Sequence, residues 1–411
     1  MAKKLGWWLV ALVAVVIPCL ASAQEESVYE AKNGEGTVNE AGIPVGAFLF
    51  SPSLELIYER KDNIFLTETD KVHDSVYVVR PRLMLELPVA ENYFRVVYMP
   101  QYRNYKDFNF TEHWSHFLDF QAHVDTPSGF ELKLDNRLVR GTLETAEFDP
   151  GRENPIGLSP FFKDRAQVTL GYAVSETDFL GADINYTTVR FDDQNTTFYD
   201  YDTFEGGLLY RRAMSPLMNM TAGVGGSHNS VSDTDSFRGY DGWYARAGVD
   251  GEFTQNLSGN FRLGYEKQRH DKDLDGRRQE FSGLTIDSSI KYSAMEGSSL
   301  ELELGRAAYL SNFEGNGFYT SEKIGLNFDT MIVGQLFGTA GFTFQRNDYD
   351  RANAGERKRR DDLKRATLGI GYHFTDIISA RGNWRYENRD SNLSGFDYKA
   401  NVFLVNLIFG Y

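Results

Sequence analysis

From about Val45 to Tyr411 the chain repeats one pattern: apolar side chains at every second position, in segments of ten or more residues. Leu368, Ile370, Tyr372 and Phe374 alternate with Thr367, Gly369, Gly371 and His373. Phe261, Leu263 and Tyr265 alternate with Asn260, Arg262, Gly264 and Glu266, and Ala166, Val168, Leu170 and Tyr172 with Arg165, Gln167, Thr169 and Gly171. A period of two puts one apolar and one polar face on an extended strand. Eighteen such segments are expected, centred near residues 53, 82, 98, 120, 137, 168, 185, 206, 223, 247, 263, 287, 305, 324, 341, 368, 384 and 403. Every second connection is tight, as at Thr126-Pro127-Ser128-Gly129 and Met295-Glu296-Gly297-Ser298, a spacing that suits short hairpin turns. The alternate connections are longer and more acidic, near 60–73, 146–160, 192–199, 230–238, 269–278 and 349–362.

An open soluble sheet of this size would have two raw edges and a large wet apolar surface. Closure into a transmembrane antiparallel β-barrel removes both problems, because every strand finds a neighbour and the apolar face meets lipid. The expected fold is therefore all-β, an outer-membrane barrel of about 18 strands over residues 44–411, with both termini periplasmic. Aromatic residues make up 14% of the chain, enough for girdles at the membrane interfaces, to which Tyr93, Phe94, Tyr98, Tyr102, Trp243, Phe253, Trp384 and Tyr386 are assigned. The last strand carries Phe403, Val405, Leu407, Phe409 and Tyr411 on one face, a pattern that resembles the insertion signal of bacterial outer-membrane barrels. The expected partners are outer-membrane lipid and the barrel assembly machinery. Two exceptions stand out. Arg306 falls on the apolar face, which calls for a bulge or a position near the interface. Val402, Leu404 and Ile408 fall on the polar face of the last strand, where they are expected to pack against the N-terminal segment.

The N-terminus reads as a secretory signal peptide, residues 1–23. Lys3 and Lys4 precede an apolar stretch from Leu5 to Leu20, and Ala21-Ser22-Ala23 supplies a cleavage site before Gln24. Residues 24–43 then read as a flexible periplasmic segment. Cys19 is the only cysteine, so the mature chain can form no disulfide. Cleavage removes two lysines and no acid, leaving 41 basic and 58 acidic residues and a net charge of −17. That sign argues against a duplex nucleic-acid binder.

The polar face of each strand is expected to line the lumen. Closure brings Arg80, Arg82, Arg95, Arg103, Arg365, Arg381 and Arg385 onto one wall, and Asp250, Glu252, Glu266, Asp287, Glu301, Glu303 and Asp329 onto the far one. Opposed walls of this kind would set up a transverse field and draw anions along the basic side; cross-strand ion pairing that merely satisfies the interior is the alternative. The 146–160 segment, with Pro150, Gly151 and Pro155, is the best candidate for a loop folded into the lumen as a constriction. No catalytic, metal or cofactor site is expected. His113, His116 and His123 cluster, but His116 and Ser115 point to opposite faces of one strand. The run Asp271-Lys272-Asp273-Leu274-Asp275-Gly276 begins like a calcium loop and then has Ser282 where a bidentate Glu is required.

Tyr58-Glu59-Arg60-Lys61-Asp62-Asn63-Ile64-Phe65, followed by Val79-Arg80-Pro81-Arg82-Leu83, resembles the start of the family called Putative beta-barrel porin 2, and the hairpin layout is similar over residues 45 to 411. The resemblance implies a barrel that passes a secreted exopolysaccharide or capsule polymer, working with a periplasmic polysaccharide export protein. The leading expectation is accordingly an export conduit. A general diffusion porin for small polar solutes and a structural or adhesive barrel are the alternatives.

Overall fold

The alternation forms strands throughout. In the computed structural model the described residues are 42–90, 92–108, 113–142, 151–153, 159–192, 200–231, 238–272, 276–295, 297–311, 313, 316–350 and 357–410. The signal peptide, nearly all of the N-terminal segment, Asp273 to Asp275 and Tyr411 lie outside them. A stub β1 (Ile43–Val45) precedes eighteen long strands: β2 (Phe48–Lys61), β3 (Asp74–Val89), β4 (Asn92–Tyr105), β5 (His113–Asp125), β6 (Phe130–Gly141), β7 (Phe161–Ala173), β8 (Asp178–Phe191), β9 (Tyr201–Ser215) and β10 (Met218–Val231). The remainder are β11 (Tyr240–Thr254), β12 (Leu257–Lys272), β13 (Arg278–Met295), β14 (Ser298–Leu310), β15 (Phe318–Val333), β16 (Leu336–Tyr349), β17 (Arg360–Thr375), β18 (Ile378–Ser391) and β19 (Tyr398–Gly410).

Each long strand pairs antiparallel with the next, and β19 closes on β2 from Val402↔Lys61 to Gly410↔Ser53. The wall is a closed 18-stranded antiparallel barrel. Below the end of β19, the stub continues the ladder on β2, with Ile43 opposite Phe50. Eight connections are short turns. At Gly129, φ is +89° and an added Cβ would lie 3.2 Å from the Ala173 Cβ, so the sharp β5–β6 reversal selects glycine. The other connections are longer and share the opposite end of the barrel. The first and last described residues, Gly42 and Gly410, lie at the short-turn end.

Burial is inverted relative to a water-soluble protein. Leu208 and Val333 are 70% exposed and Leu284 60%, while the largest fully buried side chains include Arg103, Arg238, Arg359 and Arg389. Such an outer surface is stable only against acyl chains. The strands run 12 to 18 residues, longer than the roughly 9–11 a tilted strand needs to cross hydrocarbon, and their surplus projects at the long-loop end. There the outer face turns charged, with cross-strand pairs such as Arg190–Asp202 (2.5 Å), Arg346–Asp362 (2.7 Å) and Arg360–Asp348 (2.6 Å).

The structure places both exceptional sets of residues. No register shift re-aims Arg306. It stands at the inner end of an outward row, Arg306–Glu322–Arg346–Asp362, at the border between the charged collar and the apolar band. Leu404 packs inside the barrel against the cluster of Ile57, Val76, Val78 and Tyr105; the N-terminal segment expected to cover it lies almost wholly outside the described residues. A second inward apolar cluster joins Phe117, Val139, Phe161, Val189 and Phe191. Tyr93 is a correction: it shares the inward parity of Arg95, whose guanidinium lies 5.1 Å from its ring, and stacks on His123, so it is no part of a girdle. Outward pairs Tyr102–Trp114, Trp243–Tyr265 and Trp384–Tyr386 occupy that role.

Candidate functional site: a strap across the lumen

Residues 142–160 connect β6 to β7, yet Gly151, Arg152 and Glu153 touch β15, β16, β18 and the residues just after β14 and just before β17, on the opposite side of the barrel. The described tip of the connection therefore lies inside the bore against the far wall, and residues 143–150 and 154–158 fall outside the described residues. The tip is pinned through the backbone. The Gly151 carbonyl accepts from Gln345 Nε2 and Asn347 Nδ2, both at 2.7 Å. The Glu153 carbonyl accepts from Arg389 Nη1 at 2.8 Å and Arg359 Nη2 at 3.3 Å, and Arg389 Nη2 donates to the Arg152 carbonyl. The buried Glu153 carboxylate accepts from Ser311 Oγ at 2.5 Å and from the Phe313 amide at 2.9 Å. Bonds from charged donors are the strong ones, roughly 1.5–3 kcal/mol each, so the two arginines dominate the anchorage.

Local sequence explains the geometry. A Cβ on Gly151 would fall 1.8 Å from Tyr319 Oη and 2.4 Å from its ring, so only glycine lets the strap lie on that tyrosine. Tyr319 is itself held between Tyr309 and Tyr349, with ring centroids at 5.8 and 5.3 Å. Arg359 sits among Phe396, Tyr349 and Phe313 (3.8, 4.7 and 4.9 Å to the centroids) and pairs with Asp361 at 2.7 Å. Aromatic faces and a carboxylate thus fix the guanidinium that grips the strap.

Arg152 aims toward the wall, 3.7 Å from Glu387, which also pairs with Arg365 (3.0 Å) and Arg385 (3.2 Å). Beside the strap lies a cavity of about 180 Å³, bordered by Arg152, Arg365 and Glu387 on one flank and by Arg246, Arg262, Glu266, Asp287, Glu303 and Lys323 on the other. At roughly 30 Å³ per water in the liquid, this is space for a small solute.

All fourteen residues assigned to the two charged walls occupy inward positions in the register. On the basic wall Arg80 pairs with Glu55 (2.8 Å), Arg95 with Glu86 (2.6 Å) and Arg103 with Glu59 (3.6 Å). Arg82 donates to the Met84 sulfur at 3.4 Å, and Arg381 lies 5.5 Å from the Phe337 ring centroid. On the acidic wall Glu266 lies 4.0 Å from Arg246, Asp287 pairs with Arg262 (3.3 Å) and Glu303 with Lys323 (2.8 Å). Glu301 accepts from Ser289, Asp250 from Asn219 at 3.4 Å, and Asp329 interacts electrostatically with Arg381 and Lys291. Glu252 is exposed near the short-turn end. Local counter-ions thus neutralise much of each wall. The cations Arg246, Arg262, Lys291 and Lys323 remain outnumbered by the seven carboxylates on theirs. In the last strand Phe403, Val405, Leu407 and Phe409 face outward.

Sequence reasoning singled out the strap but not its receivers. Gln345, Asn347, Ser311 and Tyr319 look like ordinary inward residues. Arg389 could have been found, because it continues the inward series Arg381, Arg385, Glu387. Among the described residues no cluster of His, Cys, Asp and Glu could hold a metal ion. His116 faces outward and bonds Tyr98 Oη at 2.8 Å, away from Ser115.

The family model described as Putative beta-barrel porin 2 matches residues 37–410. The chain belongs to this family. No curated protein matches this porin 2 barrel by sequence. It is similar in structure to OpdL of Pseudomonas aeruginosa (12% identity, 89% of this chain and 99% of that one, TM-score 0.47). It is also similar to OccAB3 of Acinetobacter baumannii (9%, 89% and 100%, 0.48) and OccK5 (OpdH) of P. aeruginosa (13%, 90% and 100%, 0.48). As a member of a porin family it is an integral outer-membrane barrel. Polysaccharide export, the leading expectation, is corrected: the family whose model matches residues 37–410 is one of porins.

Proposed function

We propose that the protein is a diffusion porin for small polar solutes, working without a partner protein. The crossing strap carries this reading. Barrels of 16–18 strands enclose an aqueous channel, and here the channel narrows to the gap beside Arg152. A solute entering that gap passes between the arginines around Glu387 and the carboxylates Glu266, Asp287 and Glu303. Fixed charges of opposite sign across a narrow path orient dipolar solutes and replace part of their hydration. Anions follow the Arg365–Arg385 flank. The long loops face outward and the termini face the periplasm. Recording currents across a planar bilayer after adding the purified mature chain alone tests the proposal. Discrete open-channel steps are expected; a silent bilayer containing correctly inserted barrels would refute it.

A further inference from the structure

Toward the long loops the wall of the barrel forks at the β13–β14 seam. β13 and β14 pair from Met295↔Ser298 up to Ile286↔Arg306 and no further. Above that rung β13 stays with β12, as in Thr285↔Gly264 and Phe281↔Gln268, and β14 stays with β15, as in Ala307↔Ser321 and Leu310↔Phe318. In a continuous ladder Thr285 would face Ala307, and Ser282 would face Leu310. Four rungs are missing, a fork about 13 Å long at ~3.3 Å per residue, open toward the long loops.

Lipid cannot satisfy backbone groups at such a fork. Arg306 does so in part. From its outward position it donates Nε to Glu322 at 2.9 Å, and Nη1 reaches across to the Leu284 carbonyl. That same nitrogen stands 3.1 Å from where a Gly283 Cβ would be, so a larger residue there would collide with the latch. Arg306 also borders two cavities at once. One is the luminal cavity beside the strap, which also touches Thr285 and Ala307; the other, of about 490 Å³, lies at the top of the fork against Phe281, Ser282, Phe318 and Thr320. Below and outside the fork the wall is greasy, with Leu263, Leu284 and Ile324 at 44%, 60% and 46% exposure.

We infer that the β13–β14 fork is a lateral portal between the lumen and the membrane leaflet at the long-loop end, and that it takes single-chain amphiphiles with an anionic head. The inference rests on the membrane-barrel reading and goes beyond passage along the bore. The head takes the place of Glu322 or the Leu284 carbonyl on Arg306, and the chain lies along Leu263, Leu284 and Ile324. Arg306 both latches the fork and selects the head.

The mature chain has no cysteine, so single-cysteine variants can carry a fluorophore. A bimane on Ala307→Cys, inward beside the fork, is compared with one on Thr367→Cys, inward on β17 where the ladder is unbroken. The quenchers are iodide in water and a nitroxide-labelled stearate in vesicles. The portal predicts that iodide quenches both sites and the stearate quenches only Ala307→Cys. Its preference there over a nitroxide-labelled stearate methyl ester should be about tenfold, the scale of one hydrogen bond to a charged group, and should vanish with Arg306→Ala. Quenching by iodide alone at Ala307→Cys would show a sealed wall and overturn the portal while leaving the channel intact. No iodide quenching at either site would overturn the wet lumen beneath both readings.

Discussion

Adding one methyl group to the strap tests the constriction. In Gly151→Ala the new Cβ starts 1.8 Å from Tyr319 Oη. Ordinary contact requires about 3.5 Å, so tip and tyrosine must separate by roughly 1.7 Å. Tyr319 is packed between Tyr309 and Tyr349 and has little room to yield. If the tip lifts, the bonds from Gln345 and Asn347 to the Gly151 carbonyl stretch from 2.7 Å to about 4.4 Å, beyond hydrogen bonding. Losing two bonds at about 1 kcal/mol each, with up to 2 kcal/mol of overpacking, weakens docking by about 2–4 kcal/mol. That lowers the docking constant roughly 30- to 900-fold. Arg359, Arg389 and the Ser311 and Phe313 bonds to Glu153 still tether the tip, but Gly151 no longer lies against the wall. Single-channel recording should show larger, noisier conductance for Gly151→Ala, with normal barrel formation on electrophoresis. Gly382→Ala, where a Cβ meets nothing within 4 Å, should behave as wild type. Unchanged conductance in a folded Gly151→Ala barrel would refute the strap as the constriction.

Other expectations follow from individual residues. Arg152→Glu replaces the guanidinium 3.7 Å from Glu387 with a carboxylate, so reversal potentials in a salt gradient should move toward cation preference; an unmoved potential would exclude Arg152 from the ion path. Leu208→Arg puts a charge where the wall is 70% exposed and should cost about 2–4 kcal/mol of folding into vesicles if that site is near the midplane; wild-type stability would refute lipid contact there. Burial pushes the Asp200 carboxyl above its usual range, while the Phe191 amide and nearby Arg190 pull the other way. The folded protein therefore binds that proton more tightly than the unfolded chain, and stability falls as pH rises from the unfolded to the folded value. Urea titrations from about pH 3 to about pH 7 should show Asp200→Asn lacking this slope; identical slopes would contradict it.

The fold was legible because outward positions obey one rule. Leu83, Leu170, Leu263 and Leu368 all meet lipid, so period two marks strands, and turns such as Thr126 to Gly129 separate them. Arg306 was visible as an exception for the same reason. Inward positions obey no such rule, which hid the Ile57–Val76–Val78–Tyr105 cluster and the inward Tyr93. Side-chain alternation is blind to pairing: Phe281 to Ser288 alternates alike on both sides of Ile286, where the β13–β14 ladder stops. The strap was legible from Pro150, Gly151 and Pro155, but its grip depends on residues that come together only when the barrel closes, such as Asn347 and Arg389. The export reading failed because Asp62-Asn63-Ile64-Phe65 speaks for a family and carries no information about cargo.

The central claim is a closed wet bore whose strap admits small solutes only. Liposome swelling with the purified mature chain, in a series of sugars from monosaccharide to long dextran, measures this directly. Fast swelling with monosaccharide, a steep fall over the short oligomers and exclusion of dextran are predicted. Dextran entering as readily as monosaccharide, or no entry of any sugar through folded barrels, would contradict it.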